Sequence, residues 1–200
     1  MGELDSSHLY QALSLLGEYF EDENSGPFHL VICGGAALIA RSLVARTTAD
    51  VDIVALINEQ SEMISPDPLP KKVLEGAEFV RKTLDLAENW LNNEPSRQPG
   101  GLFQTGLPNG LLGRLDRQSF GTELFVYFLS RYDQIHLKLY AAVDSGPGRH
   151  VEDLLKLSPA GPEMEAAAQW ALTQDSSAGF RMMLISMLNQ LGFKNEAERI

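Results

Sequence analysis

Two aspartates one residue apart have the spacing in this sequence that best suits chemistry. Asp50 and Asp52 flank Val51 at the start of VDIVAL, whose early alternation of polar and apolar residues predicts a β-strand. Side chains repeat every two residues along a strand, so both carboxylates should lie on one face. Carboxylates this close repel each other unless a cation lies between them, and hard oxygen ligands suit Mg²⁺ or Mn²⁺. The pair therefore predicts a divalent-metal site that bridges to substrate phosphates.

A glycine pair upstream predicts a place where backbone approaches a ligand. Gly34 and Gly35 follow the apolar stretch HLVIC, interpreted as a buried strand, and precede AALIARSLVA, interpreted as a helix. No side chain stands between the backbone and a ligand there, and N–H groups at a helix start favour an anion such as phosphate. A purely structural strand-to-helix turn is the alternative interpretation of this pair.

The residues just before the aspartates add phosphate-binding chemistry. Arg46 and Thr48 are candidate contacts for the nucleotide phosphates, because guanidinium and hydroxyl groups donate hydrogen bonds to phosphate or hold carboxylates. A structural salt bridge from Arg46 to one of the aspartates is the alternative.

Charge and composition restrict the class of partner. The net charge of −11 repels nucleic acid, and no run of Lys or Arg offsets it. A long nucleic acid is therefore not favoured, whereas a small nucleotide held with a metal ion is allowed. The single cysteine fits a reducing cytosol, the acidic N-terminus is not a secretory signal, and no apolar run reaches the roughly 18 residues that span a bilayer. We expect a cytoplasmic protein with no membrane partner.

The order of predicted elements indicates an α/β (α+β) fold. The predicted order begins with helix, strand, helix, strand and helix. A Gly- and Pro-rich stretch, a strand over 123–130 and further helices to the end follow. This order predicts a small mixed sheet flanked by helices, with a helical C-terminal part. Residues 71–92 are expected to form one helix that ends near Trp90. The domain prediction is a core over 1–157 and a helical extension over 158–200 packed on it.

These pieces together resemble a known superfamily. Gly34-Gly35, followed by Arg-Thr-Thr-Ala-Asp-Val-Asp over 46–52, resembles the signature of the nucleotidyltransferase superfamily, which has the polymerase-β-like fold. Downstream, IHLKLYAAVDSGPGRHVEDLLKL supplies Lys138 and Asp153, which match the bacterial branch containing AbiEii-like toxins. The similarity covers roughly residues 28 to 157.

The resemblance implies a nucleotidyltransferase fold and a role for each matching residue. Gly34 and Gly35 would approach the triphosphate, and two carboxylates would hold the metal. Lys138 would contact phosphate, and Asp153 would lie near the site. The four residues expected to take part in catalysis are Asp50, Asp52, Lys138 and Asp153. A solvated helix lysine and a capping or surface acid are the alternatives for the last two.

The leading functional prediction is transfer of a nucleotidyl group from a nucleoside triphosphate to a hydroxyl acceptor, with Mg²⁺ or Mn²⁺. RNA, a protein side chain and a small molecule are all open as acceptors. The resemblance extends the expectation to the toxin of a toxin–antitoxin system, with an antitoxin protein as partner. The alternative is a catalytically degenerate domain that binds a nucleotide or a protein.

Three further residues bear on that choice. Glu123 and Asp116 are candidates for the third carboxylate that many superfamily members carry on a later strand. Trp90 is expected in the core, with stacking on a base as the alternative.

Overall fold

The chain is built around a six-stranded mixed β-sheet in a computed structural model that describes residues 2–200. Five strands lie in the order β3-β2-β1-β6-β5, and β4 pairs with β2 off this path. The strands are β1 (Phe28–Cys33), β2 (Val51–Ile57), β3 (Met63–Ile64), β4 (Leu91–Asn92), β5 (Asp116–Ser119) and β6 (Leu124–Phe128).

Helices make up most of the remaining regular structure. They are α1 (Ser6–Asp22), α2 (Gly34–Ala40), α3 (Lys71–Leu84), α4 (Leu102–Thr105), α5 (Arg131–Asp144), α6 (Arg149–Leu157), α7 (Gly161–Gln174), α8 (Ala178–Gln190) and α9 (Lys194–Ala197). Short 3-10 turns lie at Glu94–Ser96 and Leu111–Arg114. Within residues 2–200, none of the helices combines the length and the apolar character needed to cross a membrane.

Strand β1 lies at the centre of the sheet and brings two parts of the sequence together. It is antiparallel to β2 and parallel to β6. The antiparallel register places Cys33, the last residue of β1, opposite Asp52 near the start of β2. The glycine pair that follows Cys33 and begins α2 therefore lies beside the start of the aspartate strand.

One face of the sheet packs against α1 and α3 to form the core of this part of the chain. Leu30 and Ile32 from β1 and Val51 and Ile53 from β2 are fully buried in it. Asp5 starts α1 by accepting a hydrogen bond from the backbone N–H of His8 at 2.9 Å. The observed mixed α/β architecture with flanking helices confirms the predicted fold class.

The predicted helix over 71–92 is too long, because α3 ends at Leu84. Asp85 adopts the left-handed conformation with φ of 52°, which Asp tolerates better than most residues and which turns the chain out of the helix. The following residues return to the sheet, and β4 pairs in parallel with β2. Trp90 lies in the core with 1% of its surface exposed, and its indole N–H donates to Ala77 O at 2.9 Å. The expected core position is confirmed, and base stacking is excluded for this ring.

The contacts divide the chain into two units that differ from the predicted domains. The first unit comprises residues 2–104 and 110–129, and the second comprises 105–109 and 130–200. In the second unit α5 packs against α6, α7 and α8. The division therefore falls before α5 rather than at 157/158, because α5 packs against α6 and also against the later helices α7 and α8.

Candidate functional site

The glycine pair lies under polar side chains of the segment that follows it. Gly34 has φ of 68°, and a Cβ atom built on it would be 2.6 Å from Asp52 Oδ2. A Cβ on Gly35 would be 2.6 Å from Thr48 Oγ1 and 3.0 Å from Arg46 Nη2. The two 2.6 Å distances are too short for a real Cβ, so a methyl group at Gly34 or Gly35 would displace the Asp52 or the Thr48 side chain. The glycines and the polar segment thus form one continuous surface.

Both aspartates belong to that surface. Asp52 is the second residue of β2, and Asp50 immediately precedes the strand, two residues away on the same face. Asp50 Oδ1 accepts a hydrogen bond from Thr48 Oγ1 at 3.0 Å. Both carboxylates are half-buried, so they remain accessible while their positions are held. The prediction that they share a strand face with Val51 and Ile53 turned into the core agrees with this geometry.

The turn before the aspartates is held by the N-terminal segment. Thr48 is 3% exposed, and its backbone exchanges two hydrogen bonds with Leu4, at 2.6 and 2.9 Å. The guanidinium of Arg46 donates from Nη1 to Thr47 O at 2.7 Å, and Thr47 donates to Glu3. The hydroxyl and guanidinium groups predicted to meet phosphate are therefore oriented by backbone contacts.

The two carboxylates meet part of what Mg²⁺ requires of a protein site. Among residues 2–200, no three His, Cys, Asp or Glu side chains are placed to hold a metal ion together. Mg²⁺ does not need such a cage, because it keeps several waters and binds through one or two carboxylates plus substrate phosphates. Asp50 and Asp52 supply two such carboxylates beside the glycine backbone.

Neither sequence candidate for a third carboxylate stands beside this pair. Glu123 precedes β6, whose first residue pairs with Phe28 at the start of β1. It therefore lies at the opposite end of the strand from Gly34, about 15–20 Å away at 3.3 Å per residue. Asp116 opens β5, which is separated from β1 by β6 and from β2 by β1 as well.

The residue beside Asp52 on the other edge of β2 is an amide. Asn92 on β4 is the parallel register partner of Asp52, so the two side chains share a face. Asn92 Oδ1 accepts a hydrogen bond at 2.8 Å from the backbone N–H of Glu94, the first residue of the 3-10 turn. The sequence reasoning missed this neighbour because it assigned the stretch to a helix. The sequence does carry one signal for this strand end: Asn92 and Asn93 follow Trp90 and Leu91 and precede Pro95, a pattern typical of turns.

Lys138 and Asp153 meet in the second unit. Lys138 Nζ lies 2.8 Å from Asp153 Oδ2, which joins α5 to α6. The two residues are 5% and 0% exposed, so this is a buried ion pair. That Lys138 contacts phosphate and Asp153 lies near the site stay predictions from the resemblance. That the pair joins α5 to α6 follows directly from the contact.

The fold is similar to that of an antigenic nucleotidyltransferase-like protein from Paracoccidioides brasiliensis, whose crystal structure matches with a TM-score of 0.54. The sequences are 17% identical, and the match covers 98% of this chain and 95% of that chain. At this identity the likeness establishes the fold, which is nucleotidyltransferase-like. No family model and no curated protein matches the sequence.

Proposed function

We propose that this protein is a metal-dependent nucleotidyltransferase that moves a nucleotidyl group from a nucleoside triphosphate to a hydroxyl acceptor. The observation that carries the proposal is the close contact between the glycine pair and the aspartate segment. Asp52 Oδ2 would lie 2.6 Å from a Cβ on Gly34, and Thr48, which holds Asp50, covers Gly35. The nucleotidyltransferase-like fold supports the same conclusion.

Each residue of this surface has a role in the proposed reaction. The backbone at Gly34 and Gly35 admits the triphosphate without obstruction, and Arg46 supplies positive charge beside it. Asp50 and Asp52 would hold the divalent ion, which when bound would neutralise phosphate charge and lower the pKa of the attacking hydroxyl. The acceptor oxygen bonds to the α-phosphorus and its proton passes to water. The bond between the α-phosphorus and the oxygen that bridges to the β-phosphate breaks, and pyrophosphate leaves.

Nucleotide binding is tested by thermal unfolding. A triphosphate with Mg²⁺ at about 100 times its Kd should stabilise the protein by about 2.7 kcal/mol and raise its melting temperature. The double variant Asp50→Asn with Asp52→Asn should lose this shift, whereas Asp22→Asn, which removes an exposed carboxylate at the end of α1, should keep it. The absence of a shift with every triphosphate in the unaltered protein would refute the proposal.

A second candidate function is nucleotide binding without transfer. Two observations favour it: Asn92 stands beside Asp52 where a carboxylate would act as base, and Ala36 provides no hydroxyl after the glycine pair. Incubation with cell extract and triphosphates labelled at either the α- or the γ-phosphate separates the two functions. A nucleotidyltransferase labels an acceptor from the α-position only, and a binding protein labels nothing.

The acceptor and the biological role belong to the same proposal. The net charge of −11 favours a protein or small-molecule acceptor over a long RNA, because an acidic surface repels a polyanion. Resistance of the labelled product to ribonuclease is the expected result. The resemblance to AbiEii-like toxins supports a toxin role, which predicts growth arrest on expression that the two aspartate substitutions relieve.

A further inference from the structure

The second unit contains a cavity that the proposed function does not use. Its volume is about 440 Å³, within the range of roughly 300–1,000 Å³ that small-molecule sites occupy. The segment 105–109 contributes one wall, and residues of α5 and α7 contribute the others. All the lining residues belong to the second unit.

Side-chain hydrogen bonds hold the wall segment in place. Trp170 Nε1 and Gln174 Nε2 both donate to Gly106 O at 3.0 Å. Thr105 donates its hydroxyl hydrogen to Gln174 Oε1. Three hydrogen bonds thus join the adjacent residues Thr105 and Gly106 to α7. They fix the wall segment against the helix and so define the shape of the cavity.

Aromatic rings form much of the interior. The rings of Tyr132 and His136 have centroids 4.5 Å apart, and His136 meets Trp170 edge-on at 5.9 Å. His136 Nδ1 lies 2.9 Å from Tyr132 O, and because a carbonyl only accepts, Nδ1 carries the proton. Such rings suit a flat ligand that presents a π-face.

The lining contains no Asp, Glu, Lys or Arg, so it favours a ligand without a strong charge. Besides the His136 imidazole and the Trp170 indole, its polar side chains are hydroxyls and amides, from Thr105, Asn109, Gln169, Thr173 and Tyr132. A carboxamide offers an acceptor and a donor side by side, which matches the adjacent N6 amino group and N7 of adenine. An aromatic wall, a lining without acidic or basic residues other than His136, and the carboxamide edge of Gln169 together fit a purine nucleoside.

We propose that this cavity binds an uncharged purine nucleoside, with adenosine as the probe. The ring stacks against the aromatic wall, and Gln169 at the exposed edge of α7 pairs with the base. The site goes beyond the proposed nucleotidyl transfer, since it needs neither Mg²⁺ nor phosphate.

Calorimetric titration of the whole protein with adenosine tests this site. Saturable binding is expected, and Gln169→Ala should weaken it about 3- to 10-fold, the range for one or two hydrogen bonds. Gln190→Ala removes an exposed glutamine from α8, outside the lining, and is the matched control that should bind as the unaltered protein does.

Three results would overturn the proposal: no saturable binding of adenosine, equal affinity in Gln169→Ala, or equal affinity for methyl glucoside, which would identify a sugar site. The Asp50→Asn, Asp52→Asn double variant should bind adenosine unchanged. Failure of the nucleoside site and failure of the metal–triphosphate site are therefore separate outcomes.

Discussion

Gly34 is the residue at which conformation and chemistry coincide. Its φ of 68° lies in the left-handed region, and its missing Cβ leaves room for the Asp52 carboxylate. The glycine thus places the Asp52 carboxylate, a metal ligand in the proposed reaction, against the backbone that we propose approaches phosphate. A methyl group at this position would therefore lower stability in two ways, by straining the left-handed backbone and by displacing the Asp52 carboxylate.

Gly34→Ala should destabilise the protein by about 2–3 kcal/mol, since a left-handed alanine costs about 1 kcal/mol and displacement of Asp52 adds to it. Gly100→Ala is the matched control, because Gly100 has φ of 87° with nothing within 4 Å of its Cβ position. Urea unfolding of both variants measures the difference. Equal losses of stability would show that the contact between Asp52 and Gly34 contributes nothing.

Protonation of His29 should make the free energy of unfolding depend on pH. Its ring stacks on Phe125 with centroids 4.8 Å apart, and Nδ1 lies 3.0 Å from the Tyr127 hydroxyl. Burial, together with the charge of Arg117, lowers the pKa of His29 below its usual value near 6.5. The unfolded chain therefore binds a proton first as the pH falls, and the folded state loses stability from about pH 6.5 downward.

His29→Gln should accordingly flatten the fall in unfolding free energy between about pH 7.5 and 5.5. Denaturant unfolding of the variant and the unaltered protein at several pH values measures the slope. A slope that His29→Gln leaves intact would assign the pH dependence to other groups.

At the scale of elements, the short strand β4 decides what stands next to the aspartates. Its two residues pair with the first two residues of β2, which brings Asn92 beside Asp52. The amide supports the turn at Glu94 but carries no charge and cannot accept a proton as a base. On the β4 side of β2, the site therefore has no carboxylate beyond Asp50 and Asp52.

Asn92→Asp should tighten Mn²⁺ binding several-fold, because a third carboxylate adds a hard anionic ligand beside the existing pair. The aspartate would still accept the hydrogen bond from Glu94 N, so the fold should be retained. Asn89→Asp, at an exposed position in the preceding turn, adds the same charge away from β2 and should leave the affinity unchanged. Equal Mn²⁺ affinity in both variants would contradict the placement of Asn92.

The ion pair between α5 and α6 gives a second prediction at this scale. Removing one partner of a buried pair leaves an uncompensated charge, so Lys138→Met should cost about 3–5 kcal/mol. Lys138→Met with Asp153→Leu removes both charges and should recover most of that loss. A double-mutant cycle in urea measures the coupling, and additive losses would contradict it.

The double substitution also separates two roles for Lys138. If the pair only joins helices, the stable double variant keeps its response to triphosphate. If Lys138 meets phosphate, as the resemblance implies, stability returns and the response to triphosphate does not.

Local sequence patterns predict the main elements of the site but not their neighbours. The two-residue spacing of Asp50 and Asp52 and the glycines after an apolar run are local signals, and the structure brings these residues together as expected. The end of α3 was not predictable in this way, because Ala87 and Leu91 continue the helical period while their burial comes from the sheet. Pairing between β4 and β2 is a long-range contact with no local signature.

At the scale of the molecule, the chain separates into a sheet-containing unit and a helical unit. The boundary before α5 was missed because both sides of the predicted boundary at 157/158 are helical, and periodicity does not show which helices share a core. The glycines and aspartates all belong to the first unit, whose sheet sets their register. The response of the protein to a metal-bound triphosphate should therefore depend on residues of that unit.

Calorimetric titration of the whole protein with a Mg²⁺-bound triphosphate tests this central claim most directly. We predict saturable binding that Asp52→Asn weakens at least about tenfold, a loss of about 1.4 kcal/mol, because a charged metal ligand becomes a neutral amide. Asp22→Asn should bind as the unaltered protein does. Equal affinity in Asp52→Asn and the unaltered protein would contradict the account.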